Sequence, residues 1–253
     1  LARIVRERDP QRIGLNFSEQ FAFGDGLTQQ EYLLLAAALG PDLMRRTRSA
    51  ERLCIGWLER RIPGELAAYP GIVAIGHALI VEAFSRRVIH PGVTTVDDVV
   101  WWLRQTMHDS GLPAWFQPSV DLQSADEEHR PSLLGTAQRR LILPGDALWC
   151  DVGFHYLGLA TDQQQVAYVL RPGESHAPAG LEAALRAGNR LQDIHMEELQ
   201  PGRTGNGVLY AVLDRARREG IQAMVYSHPL GYHGHAAGPV IGLWDQQDGV
   251  PER

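Results

Sequence analysis

Two short segments, far apart in this 253-residue chain, constrain its fold more than any other feature. Residues 150–162 read CDVGFHYLGLATD and carry aspartates at 151 and 162, and residues 228–239 read HPLGYHGHAAGP and carry three histidines within eight residues. Carboxylate oxygens and imidazole nitrogens are the ligands that divalent transition metals take in proteins. A fold that joins the two segments would assemble a site suited to hydrolytic chemistry.

The two aspartates flank a predicted hairpin. Asp151 follows the apolar residues 147–150, a predicted strand buried on both faces, where an unpaired carboxylate is costly to desolvate. Taken alone, it is most simply a strand-end residue that bonds backbone amides. Asp162 changes that interpretation, because a hairpin turning around residues 153–156 would bring the two carboxylates together, and cations would relieve their repulsion.

The three histidines lie in a glycine-rich loop after a predicted strand, Val225–His228. A single histidine is more often a core or surface residue than a ligand. Three of them, at 228, 233 and 235, favour a site, and Gly231 and Gly234 allow the backbone to approach it closely.

Apolar periodicity predicts helices over residues 50–61, 65–86, 95–110 and 179–199, and strands over residues 116–122 and 165–170. Thr95 and Asp98 resemble an N-terminal cap with its acidic partner. The turns at residues 91–94 and 201–204 both begin Pro-Gly and both precede a helix, a pattern that fits internal duplication or chance equally well. Polar residues 124–139 predict a surface loop. The aromatic residues Trp101, Trp102, Trp115 and Phe116 are predicted to lie in the core.

The composition of the chain limits the kinds of partner that it could bind. The net charge of −6 and the sequence pI near 5.9 argue against a nucleic acid or an anionic membrane as partner. The sequence has no uninterrupted run of eighteen apolar residues, so no membrane-spanning helix is predicted. Two cysteines, Cys54 and Cys150, leave the cellular compartment open.

Together these motifs resemble those of the pita-bread metallopeptidases, the family of aminopeptidase P, prolidase, methionine aminopeptidase and creatinase. The family's hairpin motif is matched by Gly145-Asp146, Asp151-Val152-Gly153 and Asp162. Its later motif is matched by His228, Leu230, Gly231, His235 and Pro239. The PGVTT sequence at residues 91–95 is similar to the aminopeptidase P and prolidase branch.

The resemblance implies an α+β pita-bread fold, in which helices flank a curved antiparallel sheet in two pseudo-symmetric halves. Residues 49–253 would form this catalytic domain with its C-terminal part missing, and residues 1–48 would be the remnant of an N-terminal creatinase-like domain. The chain is thus expected to be truncated at both ends.

The resemblance also implies the site and its chemistry. Asp151, Asp162 and His228 would be metal ligands, and His235 would be a catalytic residue that binds the substrate near the scissile carbonyl. The cofactors would be two divalent ions of manganese, cobalt, zinc or iron. The implied activity is hydrolysis of peptide bonds, as an Xaa-Pro aminopeptidase or dipeptidase, on a peptide or small-molecule substrate. A homodimer is common in this branch.

Two departures from the family pattern keep alternatives open. The two glutamate ligands that the family supplies after its histidine motif have no counterpart, since the acids after His235 are Asp245, Asp248 and Glu252. The histidine that peptidase members place before the Gly-Asp strand has none either, and His129 is a poor match. A creatinase-like, metal-free hydrolase of C–N bonds and a non-catalytic binding protein on the same fold therefore remain alternatives.

Overall fold

The computed structural model describes residues 1–19, 24–124 and 141–250. Its helices are α1 (Ala2–Arg8), α2 (Gln29–Leu39), α3 (Pro41–Met44), α4 (Glu51–Leu58), α5 (Pro63–Ala83), α6 (Val96–Asp109), α7 (Ala179–Glu198) and α8 (Gly205–Arg218). Its strands are β1 (Ile13–Leu15), β2 (Thr47–Ser49), β3 (Ser119–Gln123), β4 (Ala147–Val152), β5 (His155–Tyr156), β6 (Leu159–Ala160), β7 (Gln163–Tyr168), β8 (Leu230–Gly231) and β9 (Gly234–His235).

An antiparallel sheet of three strands, in the order β3-β4-β7, organises the first half. In its central strand Leu148, Cys150 and Val152 are buried, whereas Trp149 between them is 41% exposed. The prediction that this strand is buried on both faces is wrong. Side chains alternate across a strand, so one face packs on the core and the other carries Trp149 and Asp151 toward an open side.

The hydrophobic core consists of two clusters. The larger one joins α5 and α6 to the three-stranded sheet and its flanking loops, and the smaller one joins α7, α8 and the segment that follows them. The most deeply buried large side chains of the larger cluster are Ile80, Leu103, Met107, Ile142 and Phe154. Those of the smaller cluster are Ile194, Leu209 and Val212.

The helices α6 and α8 begin and end in matching ways. The Thr95 hydroxyl accepts from the Asp98 amide at 3.2 Å, and the Thr204 hydroxyl accepts from the Gly207 amide at 3.1 Å. Both helices span 14 residues, and each is followed by a glycine with positive φ, 67° at Gly111 and 72° at Gly220. This repetition of caps and ends favours the internal duplication that the sequence left open.

Helix α5 is long and apolar enough to cross a membrane, judged by length and composition alone, a test that core helices also pass. Ile72, Leu79, Ile80 and Ala83 on it belong to the larger core cluster. Tyr69, Pro70 and His77 interrupt its apolar residues. For this reason the criterion of an uninterrupted run of eighteen apolar residues does not predict a membrane-spanning helix here.

Two local predictions are wrong, and one cannot be compared. The chain reverses at Leu157 and Gly158, both with positive φ, rather than around residues 153–156. Residues 225–228 form a single β-bridge, Ser227↔Ile241, instead of a strand. The Gln247 side chain replaces a strand partner there, because its amide bonds both the N–H and the C=O of Val225 at 2.8 Å. Residues 125–139 of the predicted surface loop lie outside the described ranges.

The N-terminal segment has a small parallel sheet of its own. Strand β1 pairs with β2 through Ile13↔Thr47, Gly14↔Arg48 and Leu15↔Ser49. Helix α2 carries a complete capping box between Thr28 and Glu31 at its N-terminus. The domain boundary between residues 48 and 49 stays a prediction.

Candidate metal centre

A short hairpin between β4 and β7 brings the two aspartates to one edge of the sheet. Strand β4 ends at Val152, the β5–β6 hairpin reverses the chain, and β7 returns antiparallel beside β4. In this register Asp151 lies opposite Gln164, and Asp162 immediately precedes β7. The prediction that the chain reversal gathers the carboxylates is confirmed, with β7 as the returning strand.

Gln164 connects the two carboxylates directly. Its side-chain amide donates to Asp151 Oδ1 at 2.8 Å and to Asp162 Oδ1 at 2.6 Å. Gln164 is not among the site residues predicted from the sequence. The available signal was the spacing of two between Asp162 and Gln164, because residues two apart on an extended chain face the same side.

His228 and His235 meet Asp162 from the second segment. Asp162 Oδ2 lies 3.3 Å from His228 Nε2, and the two imidazole rings have centroids 4.0 Å apart. One potential ligand atom from each of Asp162, His228 and His235 lies within 4.8 Å of the others. The side chains of Asp162 and His228 are 12% and 18% exposed, whereas His235 is exposed.

This donor set fits a divalent transition ion. Two donors that each lie about 2.0 Å from one tetrahedral ion are roughly 3.3 Å apart, so the Asp162–His228 distance needs little adjustment. Imidazole and carboxylate are also recurrent ligands for first-row transition metals. Asp151 lies outside this trio and reaches it through Gln164.

The electrostatics of the site reflect the burial of its carboxylates and their closeness to each other. Burial raises the pKa of the Asp151 carboxyl to about 6, and the nearby Asp162 carboxylate adds to the rise. The hydrogen bond to Asp162 raises the pKa of the His228 imidazole above its usual 6.5. Burial, aided by His228, lowers the pKa of His235. Excess negative charge is therefore concentrated around the aspartates, where a cation would be stabilised.

His233, the third histidine of the loop, lies outside the donor trio. It occupies the turn between β8 and β9, where its ring is 5.1 Å from the Tyr232 ring. On the other side of the trio, the Tyr226 ring lies 5.6 Å from His228 and 5.1 Å from Trp244. The base of the hairpin is anchored by Arg61, whose guanidinium donates to the Leu230 carbonyl.

Trp115, predicted to lie in the core, is partly buried and lies beside the site instead. Its indole N–H donates to the Thr161 carbonyl at 2.6 Å, and its ring lies 5.4 Å from the His235 ring. Trp101, also predicted to be core, is 63% exposed with Arg104 over its ring. Trp102 packs on the larger core cluster as predicted.

The remaining acidic motif residues have other positions. Asp146 is buried and accepts from the Leu143 amide at 2.8 Å and from the Ser124 hydroxyl, so it stabilises the turn before β4. Within the described residues, the donor trio includes neither Asp245 nor Asp248. Glu252 and His129 lie outside the described ranges.

Comparison with known proteins agrees with this geometry. A family model described as metallopeptidase family M24 matches residues 68–250. The X-Pro aminopeptidase of Thermotoga maritima aligns with 99% of this chain and 65% of its own, at 17% identity and a TM-score of 0.67. The Xaa-Pro dipeptidase of Bacillus anthracis aligns over 94% of this chain and 62% of its own, at 20% identity and a TM-score of 0.65.

A methionine aminopeptidase of Thermotoga maritima is also similar, covering 73% of each chain at 19% identity and a TM-score of 0.53. A sequence search among curated proteins found no match. At these identities the solved structures show similarity of fold alone. They confirm the predicted α+β pita-bread architecture. The chain spans less than two thirds of the length of the X-Pro aminopeptidase and of the Xaa-Pro dipeptidase.

Proposed function

Because the chain belongs to metallopeptidase family M24, we propose that it is a metal-dependent hydrolase of peptide bonds that acts next to proline, as an Xaa-Pro aminopeptidase or dipeptidase. One observation carries the proposal. Asp162, His228 and His235, from two distant segments, present ligand atoms within 4.8 Å of one another. A carboxylate paired with imidazoles at this distance fits a hydrolytic metal centre better than a structural ion pair.

The roles of the residues follow from their positions. Asp162 and His228 would hold an ion, since both side chains are largely buried with oxygen and nitrogen 3.3 Å apart. Asp151 would add a further carboxylate donor, because the Gln164 amide bonds it and Asp162 at the same edge of the sheet. Divalent ions such as manganese, cobalt, zinc or iron supply Lewis acidity and a hydrolytic nucleophile near neutral pH when bound at such a centre.

His235 is the residue proposed to contact the substrate. It is the exposed member of the trio, so a ligand approaching from solvent meets it first. Its imidazole can donate a hydrogen bond to a peptide carbonyl and stabilise the negative charge that develops on that oxygen. The preference for proline is supported by the fold that the chain shares with an X-Pro aminopeptidase and an Xaa-Pro dipeptidase.

The test compares the wild-type chain, loaded with Mn²⁺, on Leu-Pro, Leu-Ala and a longer peptide with proline in the second position. Hydrolysis that disappears with EDTA, returns with Mn²⁺ and is abolished by His228→Ala is the expected result. Faster cleavage of the proline substrates supports the specificity. Asp193→Asn, an exposed change on α7, serves as the control and should retain activity.

The alternatives predict other results. A creatinase-like, metal-free enzyme would cleave a C–N substrate equally well in EDTA and after His228→Ala. A binding protein would bind peptide without releasing product under any metal condition. Either result would overturn the proposed activity.

A further inference from the structure

Trp115 occupies a slot between two glycines that belong to different segments. At Gly153, after β4, an added Cβ would contact both the Trp115 indole nitrogen and the Phe116 ring. At Gly234, in the histidine hairpin, an added Cβ would lie 2.6 Å from Cδ2 of Trp115 and closer to other ring atoms. Such separations are well below van der Waals contact, so only glycine at both positions leaves room for the indole.

The indole also makes a directed bond to the aspartate hairpin. Its N–H donates to the carbonyl of Thr161, a residue 1% exposed that directly precedes Asp162. A buried carbonyl without its donor is destabilised, so this bond favours one position of the backbone just before Asp162. The bond therefore fixes the approach of Asp162 to the site.

The Trp115 ring also meets the histidine segment. The Trp115 and His235 rings are 65° apart in orientation with centroids 5.4 Å apart, an edge-to-face arrangement. Gly234, with φ of 83°, places its backbone against the same indole. One side chain thus contacts both segments that supply the donor trio.

We propose that Trp115 is a positioning residue that holds the histidine hairpin against the aspartate hairpin, so that His228 and His235 meet Asp162. It contacts no donor atom of the trio through a hydrogen bond, and its effect passes through Thr161 and His235. The metal-binding consequence of this proposal rests on the proposed function, whereas the positioning itself does not.

The test uses Trp115→Phe, which keeps a ring but removes the N–H, with Trp101→Phe on the exposed face of α6 as the matched control. Zn²⁺ affinity is measured by calorimetry on folded, metal-free protein. Outer contacts that orient ligands typically change metal affinity by about 10- to 100-fold, so a loss of at least about tenfold is expected for Trp115→Phe and none for Trp101→Phe.

A second readout requires no metal. In the metal-free chain the His228 and His235 rings, with centroids 4.0 Å apart, should give mutual NOE signals; Trp115→Phe should weaken these His235 signals while Trp101→Phe leaves them unchanged. A residue with a merely structural role would lower the melting temperature without changing Zn²⁺ affinity of the folded protein or the His235 signals, and that result would overturn the proposal. If the wild type binds no Zn²⁺, the proposed function fails, and the His235 signals alone decide whether Trp115 positions the loop.

Discussion

Replacing Gly153 with alanine would test how tightly the aspartate hairpin is packed. The new Cβ would lie 2.5 Å from the Thr161 carbonyl oxygen, a backbone atom that cannot rotate away, and closer still to the Trp115 and Phe116 rings. Gly153 has no positive φ, so the cost is steric rather than conformational. Overpacking of this kind costs about 1–3 kcal/mol, and with three neighbours including backbone we expect about 3 kcal/mol.

Thermal unfolding followed by circular dichroism in EDTA measures this cost without any contribution from bound metal. For a chain of this size 1 kcal/mol corresponds to about 2–4 °C, so Gly153→Ala should lower the melting temperature by about 6–12 °C. Gly188→Ala is the matched control, because Gly188 lies within α7 with nothing within 4 Å of an added Cβ. It should raise stability by about 0.5–1 kcal/mol. A Gly153→Ala melting temperature within about 1 °C of the wild type would refute the packing argument.

Three further changes have defined outcomes. Gln247→Ala removes both hydrogen bonds to Val225 and should cost about 2 kcal/mol in urea unfolding, and a cost near zero would show that the amide does not replace a strand partner. Thr95→Ala should cost about 1 kcal/mol by the same assay through loss of the α6 cap, and an unchanged midpoint would contradict the capping role. The hydrogen bond from Arg190 lowers the pKa of the Glu219 carboxyl below its usual 4.5. The stability that this pair contributes to the fold is therefore present above pH 4.5 and is lost as the pH falls through the lower folded-state pKa. The melting temperature of Glu219→Gln should therefore fall furthest below the wild type near pH 7 and converge with it near pH 3, and a difference that does not shrink on acidification would contradict the assignment.

Local patterns predicted the parts of the fold that depend on local chemistry. The threonine and aspartate at the start of α6 form a complete capping box, and the predicted helix over residues 179–199 agrees with α7 to within one residue. Cap and helix signals succeed because the groups that satisfy each other lie within a few positions of one another.

Features that depend on distant partners were missed. The segment that begins at Val225 looks like a strand in sequence, but it pairs only through the Ser227↔Ile241 bridge and, at Val225, with a glutamine side chain 22 residues away. The sequence predicts that Trp115 lies in the core. Its position beside the site could not be predicted, because its slot is formed by Gly153 and Gly234, which come together only on folding. The motifs placed the aspartates and histidines in one site, and the structure brings together Asp162, His228 and His235, whereas Asp151 reaches them through Gln164. The motifs did not reveal Gln164 as the amide that joins the carboxylates.

The most direct measurement is calorimetric titration of the metal-free chain with Zn²⁺, comparing the wild type with Asp162→Asn and with Asp193→Asn as the control. The prediction, if Asp162 holds the ion, is saturable binding by the wild type and the control and an affinity at least about tenfold weaker for Asp162→Asn. A tenfold change corresponds to about 1.4 kcal/mol of binding free energy. Equal affinities for the wild type and Asp162→Asn would contradict the prediction, because the carboxylate beside His228 would then take no part in holding the ion.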